Sequence, residues 1–240
     1  MVLRIGGSGS SGNCYSLTDK NNKVLLIEAG ISYGKLCRFI NWNVTNIEGC
    51  IVTHSHLDHV RSVARLEIAG IPIYKPFELS SVRFGDYEIT AFPLKNSAGR
   101  YVHTNYDGTE CPVFGFLIKH PEMGTMVYLT DCEYCRYMFR KKDLGHILIG
   151  VNYQERYAPF DDAKKEHVIT GHMSERTAID FIQTNQTEAL QNVILCHLSD
   201  GSCNADELKA NIENAVEIGV SVHVAMPGIE IELNKDCPFG

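Results

Sequence analysis

Thr53-His54-Ser55-His56-Leu57-Asp58-His59 places three histidines and an aspartate within six consecutive positions. Imidazole nitrogens and carboxylate oxygens are the donors that suit zinc and its first-row neighbours, and a cluster this dense can hold two ions. A solvated polar loop has no need of such a concentration of ligands. Before the cluster, Gly49-Cys50-Ile51-Val52-Thr53 is a short apolar run of strand type; after it, Val60, Val63, Ala64 and Ile68 fall near helical spacing. The string therefore belongs to a strand-to-helix turn. His54 and His56 project one way from the extended part, and Asp58 and His59 turn toward a neighbouring position.

The chain has 240 residues, 44% of them hydrophobic and 21% charged, which is enough to bury a sizeable core as one globular domain, 1–240. No segment approaches the roughly 20 consecutive apolar residues that a membrane helix requires. Nine cysteines, an odd number without regular spacing, fit reduced thiols rather than a disulfide framework and point to the cytoplasm. The net charge of −7 argues against broad affinity for nucleic acid, which relies on clustered Lys and Arg. Arg140-Lys141-Lys142 and Lys164-Lys165 are the densest basic stretches, and each reads more readily as a solvated helix face.

The first half reads as short strands: about Val2 to Ile5, Cys14 to Thr18, Val24 to Glu28, Ile51 to Thr53, Ile71 to Tyr74, Tyr87 to Pro93, Val113 to Lys119 and Met126 to Thr130. Helical patterns follow. Ser174 opens one with Ala178, Ile179, Phe181 and Ile182 at helical spacing, and Asn204 caps another with Glu207 three residues on. Asn192 to His197 lies between them as a buried-type strand, and strands Val220 to Ala225 and Ile229 to Leu233 close the chain. Two sheets back to back with helices outside, a four-layer αββα sandwich of the α/β class, would bury one face of each strand.

An ion needs ligands from several segments. Asp131 ends the run Met126-Val127-Tyr128-Leu129-Thr130, where one carboxylate could bridge two metals about 3.5 Å apart. His197 ends its own apolar strand in the same way. Alone, Asp131 could be a helix cap and His197 a satisfied core histidine; beside the first cluster, both read as ligands.

His54, His56, Asp58 and His59 together match the HxHxDH hallmark of the metallo-β-lactamase-fold hydrolase superfamily. Gly9-Ser10-Ser11-Gly12-Asn13-Cys14-Tyr15 resembles the amino-terminal loop of its small YycJ/WalJ-type nuclease-like branch, bacterial or phage. Leu129-Thr130-Asp131 and Ile194-Leu195-Cys196-His197-Leu198-Ser199 are similar to the later ligand motifs. The resemblance implies two divalent ions, zinc with manganese or iron as alternatives. One would be held by His54, His56 and His103, the other by Asp58, His59 and His197, with Asp131 shared. His103 enters as the only histidine shortly before Cys111-Pro112-Val113-Phe114, across a gap longer than in close relatives. Gly171-His172-Met173-Ser174 resembles the GHS-type motif of tRNase Z and related nucleases, in which the histidine assists the departing oxygen. An imidazole suits proton donation at neutral pH, although a histidine at a helix entry can also simply contact backbone. Asp58 and His172 are the residues assigned to catalysis.

Two positions depart from the family pattern. Glu28-Ala29-Gly30 stands where Asp-Ala-Gly is usual, so hydrogen bonding behind a ligand is expected to shift by one methylene. Gly150-Val151-Asn152-Tyr153 resembles an acidic Glu-x-Asn-Tyr segment but carries glycine at the acidic position. Cys132-Glu133-Tyr134-Cys135 has the spacing of half a structural zinc site and no second close pair. Gly6 to Gly12 is not a P-loop, since no Gly-Lys-Ser/Thr follows.

The expected reaction is hydrolysis of a phosphodiester by metal-activated water, with DNA or RNA first and cyclic or other small nucleotides second as substrates. A noncatalytic metal-binding domain is the reading from another class. The complete ligand set argues against it. The sequence does not reveal the oligomeric state.

Overall fold

The computed structural model describes residues 1–76, 80–96, 98–101, 103–105, 107–157, 171–199 and 201–234. In β1 (Val2–Gly7), Leu3 and Ile5 are buried while Val2 and Arg4 are half-exposed, the period-2 alternation of a strand with one face on a core. β1 pairs antiparallel with β2 (Cys14–Thr18), and β2 with β3 (Val24–Ile27). β4 (Ile47–Ile51) and β5 (Ile73–Tyr74) then add in parallel.

The chain crosses to a second sheet through β6 (Ser81–Phe84) and β7 (Tyr87–Pro93), and forms a small ribbon, β8 (His103–Thr104) with β9 (Glu110–Cys111). β10 (Phe114–His120), β11 (Gly124–Leu129), β12 (Leu144–Gly150), β13 (Asn192–Cys196) and β14 (Ser221–Val224) complete that sheet in the order β14-β13-β12-β11-β10-β7-β6. β15 (Glu230–Glu232) returns to the edge of the first sheet, whose order is β15-β1-β2-β3-β4-β5.

Three buried clusters define the layers. Between the sheets, Leu3, Ile5, Tyr15, Leu17 and Ile27 meet Ile89, Phe116, Tyr128, Leu148 and Ile194. Outside the first sheet, Cys14, Leu26 and Cys50 pack with Leu36 of α1 (Tyr33–Phe39) and with Val63 and Leu66 of α3 (Val63–Ile68); α2 (Leu57–Val60) precedes α3. Outside the second sheet, Val127, Ile147, Ile149 and Val193 meet Ala178, Phe181 and Ile182 of α4 (Glu175–Asn185), and Leu208 and Ile212 of α5 (Ala205–Glu213). This is the αββα sandwich, with each sheet apolar on both faces because each carries helices outside and the other sheet inside.

The Ser174 and Asn204 caps form as the sequence indicates, accepting from Thr177 N and Glu207 N at 3.2 Å each. The helical run after the ligand string is two short helices, broken at Ser62. Ser62 is buried, and it donates from its backbone N to Ala29 O and from Oγ to Ile31 O, bonds that compete with continuing the helix. Arg140–Lys142 is a short 3₁₀ turn, not a helix face, and Lys164-Lys165 lies outside the described residues. β12, β6, α1 and the ribbon are elements that the sequence pattern does not announce. Among the described residues no helix is long and apolar enough to cross a membrane, and the described cysteines are free, Cys132 and Cys135 included.

Candidate metal centre

β4 ends at Ile51, and the chain passes through bends at Thr53 and Ser55 to His56, which is the N-cap of α2 with φ −65° and ψ 147°. His54 and His56 therefore leave this turn, while Asp58 and His59 sit in the first helical turn. His103 opens the ribbon, Asp131 follows β11 by two residues, His197 directly follows β13, and His172 lies two residues before the Ser174 cap. Three of the residues that end strands here have a left-handed backbone: Glu28 at φ 63°, Asp131 at φ 52° and His197 at φ 53°. That region costs a non-glycine residue of order 1 kcal/mol. It turns each side chain off its strand and into the space between the sheet ends.

The structure brings these side chains into contact. His59 Nε2 lies 3.3 Å from Asp58 Oδ2 and 3.2 Å from Asp131 Oδ2. His197 Nε2 lies 3.4 Å from Asp58 Oδ2 and 3.6 Å from Asp131 Oδ2, with its ring stacked on His59 at a centroid distance of 5.6 Å. His54 sits 4.1 Å from His59, 4.6 Å from His56 and 5.6 Å from His103, ring to ring. His172 Nε2 is 3.6 Å from Asp131 Oδ1, and its ring is 5.5 Å from that of His103. Among the described residues, three sets offer ligand atoms within 4.8 Å of one another: His54, His59 and Asp131; Asp58, His59 and His197; His103, Asp131 and His172. His56 joins through its ring contacts only, since its Nε2 hydrogen-bonds Thr104 O at 3.1 Å, and His103 Nε2 likewise meets Gly171 O at 3.1 Å.

Charge divides the histidines. Burial lowers the pKa of His54 well below the imidazole range, helped by neighbouring His59, so this ring is neutral. For His59 burial acts in the same direction, but the carboxylates of Glu28, Asp131 and Asp58 outweigh it and hold the ring protonated. His197 is raised against its own burial by Asp131 and Asp58. Burial would raise Asp131, and the surrounding histidines, His197 first, keep it well below the carboxylate range. These groups fit a bound divalent ion: the Nε2 of His54 is buried with no hydrogen-bond partner, a cost of about 1–3 kcal/mol for a polar atom unless something coordinates it. The donor set of imidazoles and carboxylates suits zinc or its neighbours.

The groups behind the centre were only partly legible. Glu28 is fully buried; it accepts from Thr53 Oγ1 at 2.6 Å and Tyr128 OH at 3.2 Å, and lies 3.3 Å from His59 Nδ1. The longer side chain thus still reaches the ring, from a left-handed backbone. At Gly150 a Cβ would stand 2.7 Å from Thr130 Oγ1, which donates to Asp131 Oδ2 at 3.1 Å, so the bare position leaves room for that contact. In the sequence Asn13 stands only within the Gly9–Tyr15 stretch that resembles an amino-terminal loop. Its buried amide takes Gly9 N at 2.8 Å and sets Nδ2 3.4 Å from Asp58 Oδ2 and 3.2 Å from His59 Nε2. Asn152 shows in the sequence only as part of the Gly150-Val151-Asn152-Tyr153 segment. A 310 Å³ cleft beside the centre is lined by His56, Leu57, Asp58, Thr104 and Asn105.

Residues 7–121 match the metallo-beta-lactamase superfamily by sequence. Among curated proteins no sequence matches. The metallo-beta-lactamase fold protein YhfI from Bacillus subtilis is similar in structure, with a TM-score of 0.69 at 16% identity over 96% of this chain and 98% of that one. Unliganded yeast PDE1 aligns with a TM-score of 0.68 at 11% identity, covering 95% and 98%. The short form of human tRNase Z aligns at 0.60 and 14%, covering 97% and 99%. At these identities the likeness shows the metallo-β-lactamase fold, and with the sequence match it supports the broad class of metal-dependent hydrolases.

Proposed function

We propose that this chain, whose residues 7–121 match the metallo-beta-lactamase superfamily and whose fold is that superfamily's, is a single-domain phosphodiesterase, 1–240, acting on DNA, RNA or a nucleotide. One observation carries the reading: His172 stands beside the carboxylate around which the other imidazoles gather, 3.6 Å from Asp131 Oδ1. A lactam or thioester would have less need of a separate acid there. Among the fold neighbours, tRNase Z names a nucleic acid, which makes phosphodiesters the first substrates to try.

His54, His56 and His103 would hold one divalent ion, Asp58, His59 and His197 the other, and Asp131 both. Such ions supply Lewis acidity to a phosphoryl oxygen and acidify water. Asp58 borders the cleft, where its carboxylate can accept a hydrogen bond from the attacking water and orient it. As the bond from phosphorus to the leaving oxygen breaks, His172 gives that oxygen a proton. Zinc is the metal we favour over manganese or iron, and the free cysteines favour a cytoplasmic site of action. The net charge of −7 supports a second reading, a cyclic or other small nucleotide as substrate.

The test is metal analysis of the purified protein together with turnover of bis(p-nitrophenyl) phosphate, single- and double-stranded DNA, RNA and cyclic nucleotides. Two ions per chain and cleavage of a phosphodiester are expected. An affinity that falls steeply with salt assigns a nucleic acid, and a flat dependence assigns a small nucleotide. One ion or none, with no turnover across the panel, would favour the noncatalytic domain instead.

A further inference from the structure

Beyond β12 the chain does not turn away; it runs on as a strip between the two segments that carry His172 and His197. On one side Val151 N donates to Cys196 O at 3.0 Å, Ser199 N donates to Asn152 O at 3.3 Å, and Gln154 N donates to Ser202 O at 2.9 Å. On the other, Asn152 N donates to Met173 O and Glu175 N to Tyr153 O, each at 2.9 Å, and Tyr153 forms a β-bridge with Ser174. Gln154 also bonds both ways through its side chain, to Glu175 and from Asn204 N, but Asn152 does so next to the two rings. Its Oδ1 accepts from Met173 N at 3.2 Å, and its Nδ2 donates to His197 O at 3.1 Å and lies 3.0 Å from His197 Nδ1. The residue is 1% exposed, so water cannot substitute for these contacts.

The far ends of the same two rings meet at one carboxylate. His172 Nε2 is 3.6 Å from Asp131 Oδ1 and His197 Nε2 is 3.6 Å from Asp131 Oδ2. The loop is closed: Asn152 holds the backbone next to His172 and the inner edge of His197, and Asp131 faces the outer edge of both. Met173 beside them is fully buried in the outer core.

We propose that Asn152 is a positioning residue that sets where His172 stands relative to His197, so that the proton reaches the leaving oxygen only while this amide is in place. The proposal rests on the reading of His172 as proton donor and His197 as ligand. A merely structural asparagine would, when lost, slow every substrate alike. A residue that aims the acid affects only reactions that need the acid.

The experiment compares the wild type, Asn152→Ala, Asn152→Asp and His172→Ala on two phosphodiesters: bis(p-nitrophenyl) phosphate, whose leaving group departs without a proton, and a dinucleoside phosphate, whose alkoxide needs one. Metal content and the exchange rate of the Met173 amide are measured on the same preparations. His172→Ala is expected to lose ~10²–10⁴-fold in kcat on the dinucleoside phosphate and little on the nitrophenyl ester. With metal in excess, because the change also removes a partner of the His197 ring, Asn152→Ala should show the same selectivity with a loss of at least about tenfold and faster exchange at Met173. Asn152→Asp retains an acceptor for Met173 N but loses the donor to His197 O, and should recover part of the dinucleoside rate. Equal losses on both substrates in the asparagine variants, or no loss, would overturn the proposal while leaving His172 as the acid. A His172→Ala variant without selectivity would instead overturn the reading of His172, and the proposal with it.

Discussion

Asp131 faces His59, His197 and His172 from one buried position, with Thr130 Oγ1 on the same carboxylate. Three histidines meet at this carboxylate, so its removal takes away counter-charge that His59 and His197 otherwise share with Asp58. Asp131→Ala is expected to lose metal and turnover together, read by metal analysis beside a rate. His172→Ala keeps both ions and loses ~10²–10⁴-fold in kcat on substrates with a poor leaving group. Full activity in that variant on a confirmed substrate would remove His172 from the mechanism. Behind the ligands, Glu28→Gln changes shape very little but removes the charge that faces His59 Nδ1, and should weaken metal binding by roughly 10–100-fold in a chelator competition. The charged members of this set were legible because ligand chemistry admits few residue types. Asn13 and Asn152 were not assigned roles, because a neutral amide acts through backbone partners that only the fold brings near.

At the scale of elements, the centre depends on how closely two loops interlock. Gly12 has φ 136° and a Cβ there would meet Gly30 O at 2.5 Å; a Cβ on Gly30 would lie 1.6 Å from Asp58 O. Asn13 N donates to Asp58 O and Gly30 N to Asn13 O, each at 2.8 Å, so Asn13 links the turn after β3 to the start of α2, and Ala29 N bonds His59 O directly at 2.8 Å. Gly30→Ala must part these strands of backbone. It should cost at least about 1–3 kcal/mol in denaturant unfolding and weaken the metal site bound through Asp58 and His59; an unchanged midpoint would show that the loop has slack. The sequence indicated this strand-to-helix turn and most strands of the first half, because their apolar runs are short and bounded by turn residues. β12 escaped because Leu144-Gly145-His146-Ile147-Leu148-Ile149-Gly150 is buried on both faces and so has no alternation, and its glycines and histidine are poor strand signals. The ribbon strands are two residues each, too short for any period to register.

Across the whole molecule the candidate ligands come from both halves of the sandwich: His54, His56, Asp58 and His59 from the end of the first sheet, Asp131 and His197 from the second, and His103 from the ribbon. Ions bound by all of them would tie the sheets together at one end, and ligand that binds only the folded chain stabilises it globally. At a free metal concentration of 100 Kd the gain is about 2.7 kcal/mol, which for a chain of this size raises Tm by roughly 5–11 °C. The size of that gain should depend on pH. His59 and His197 hold protons above the ordinary imidazole pKa through the facing carboxylates, and an ion can take those ring nitrogens only after the protons leave. Metal affinity therefore rises with pH. In the stripped protein the same two raised pKa values act oppositely: their stabilisation is fully present below the unfolded imidazole value of about 6.5 and is lost as pH climbs through the folded values. Asp131, whose pKa is depressed, contributes above about pH 3.9 and is constant across this range. Calorimetry on loaded and chelator-stripped protein should thus show a Tm difference that widens from pH 6 to pH 8. A difference that stays level, with no protons released on titrating in zinc, would mean that His59 and His197 keep their carboxylate partners and that the ion is held elsewhere.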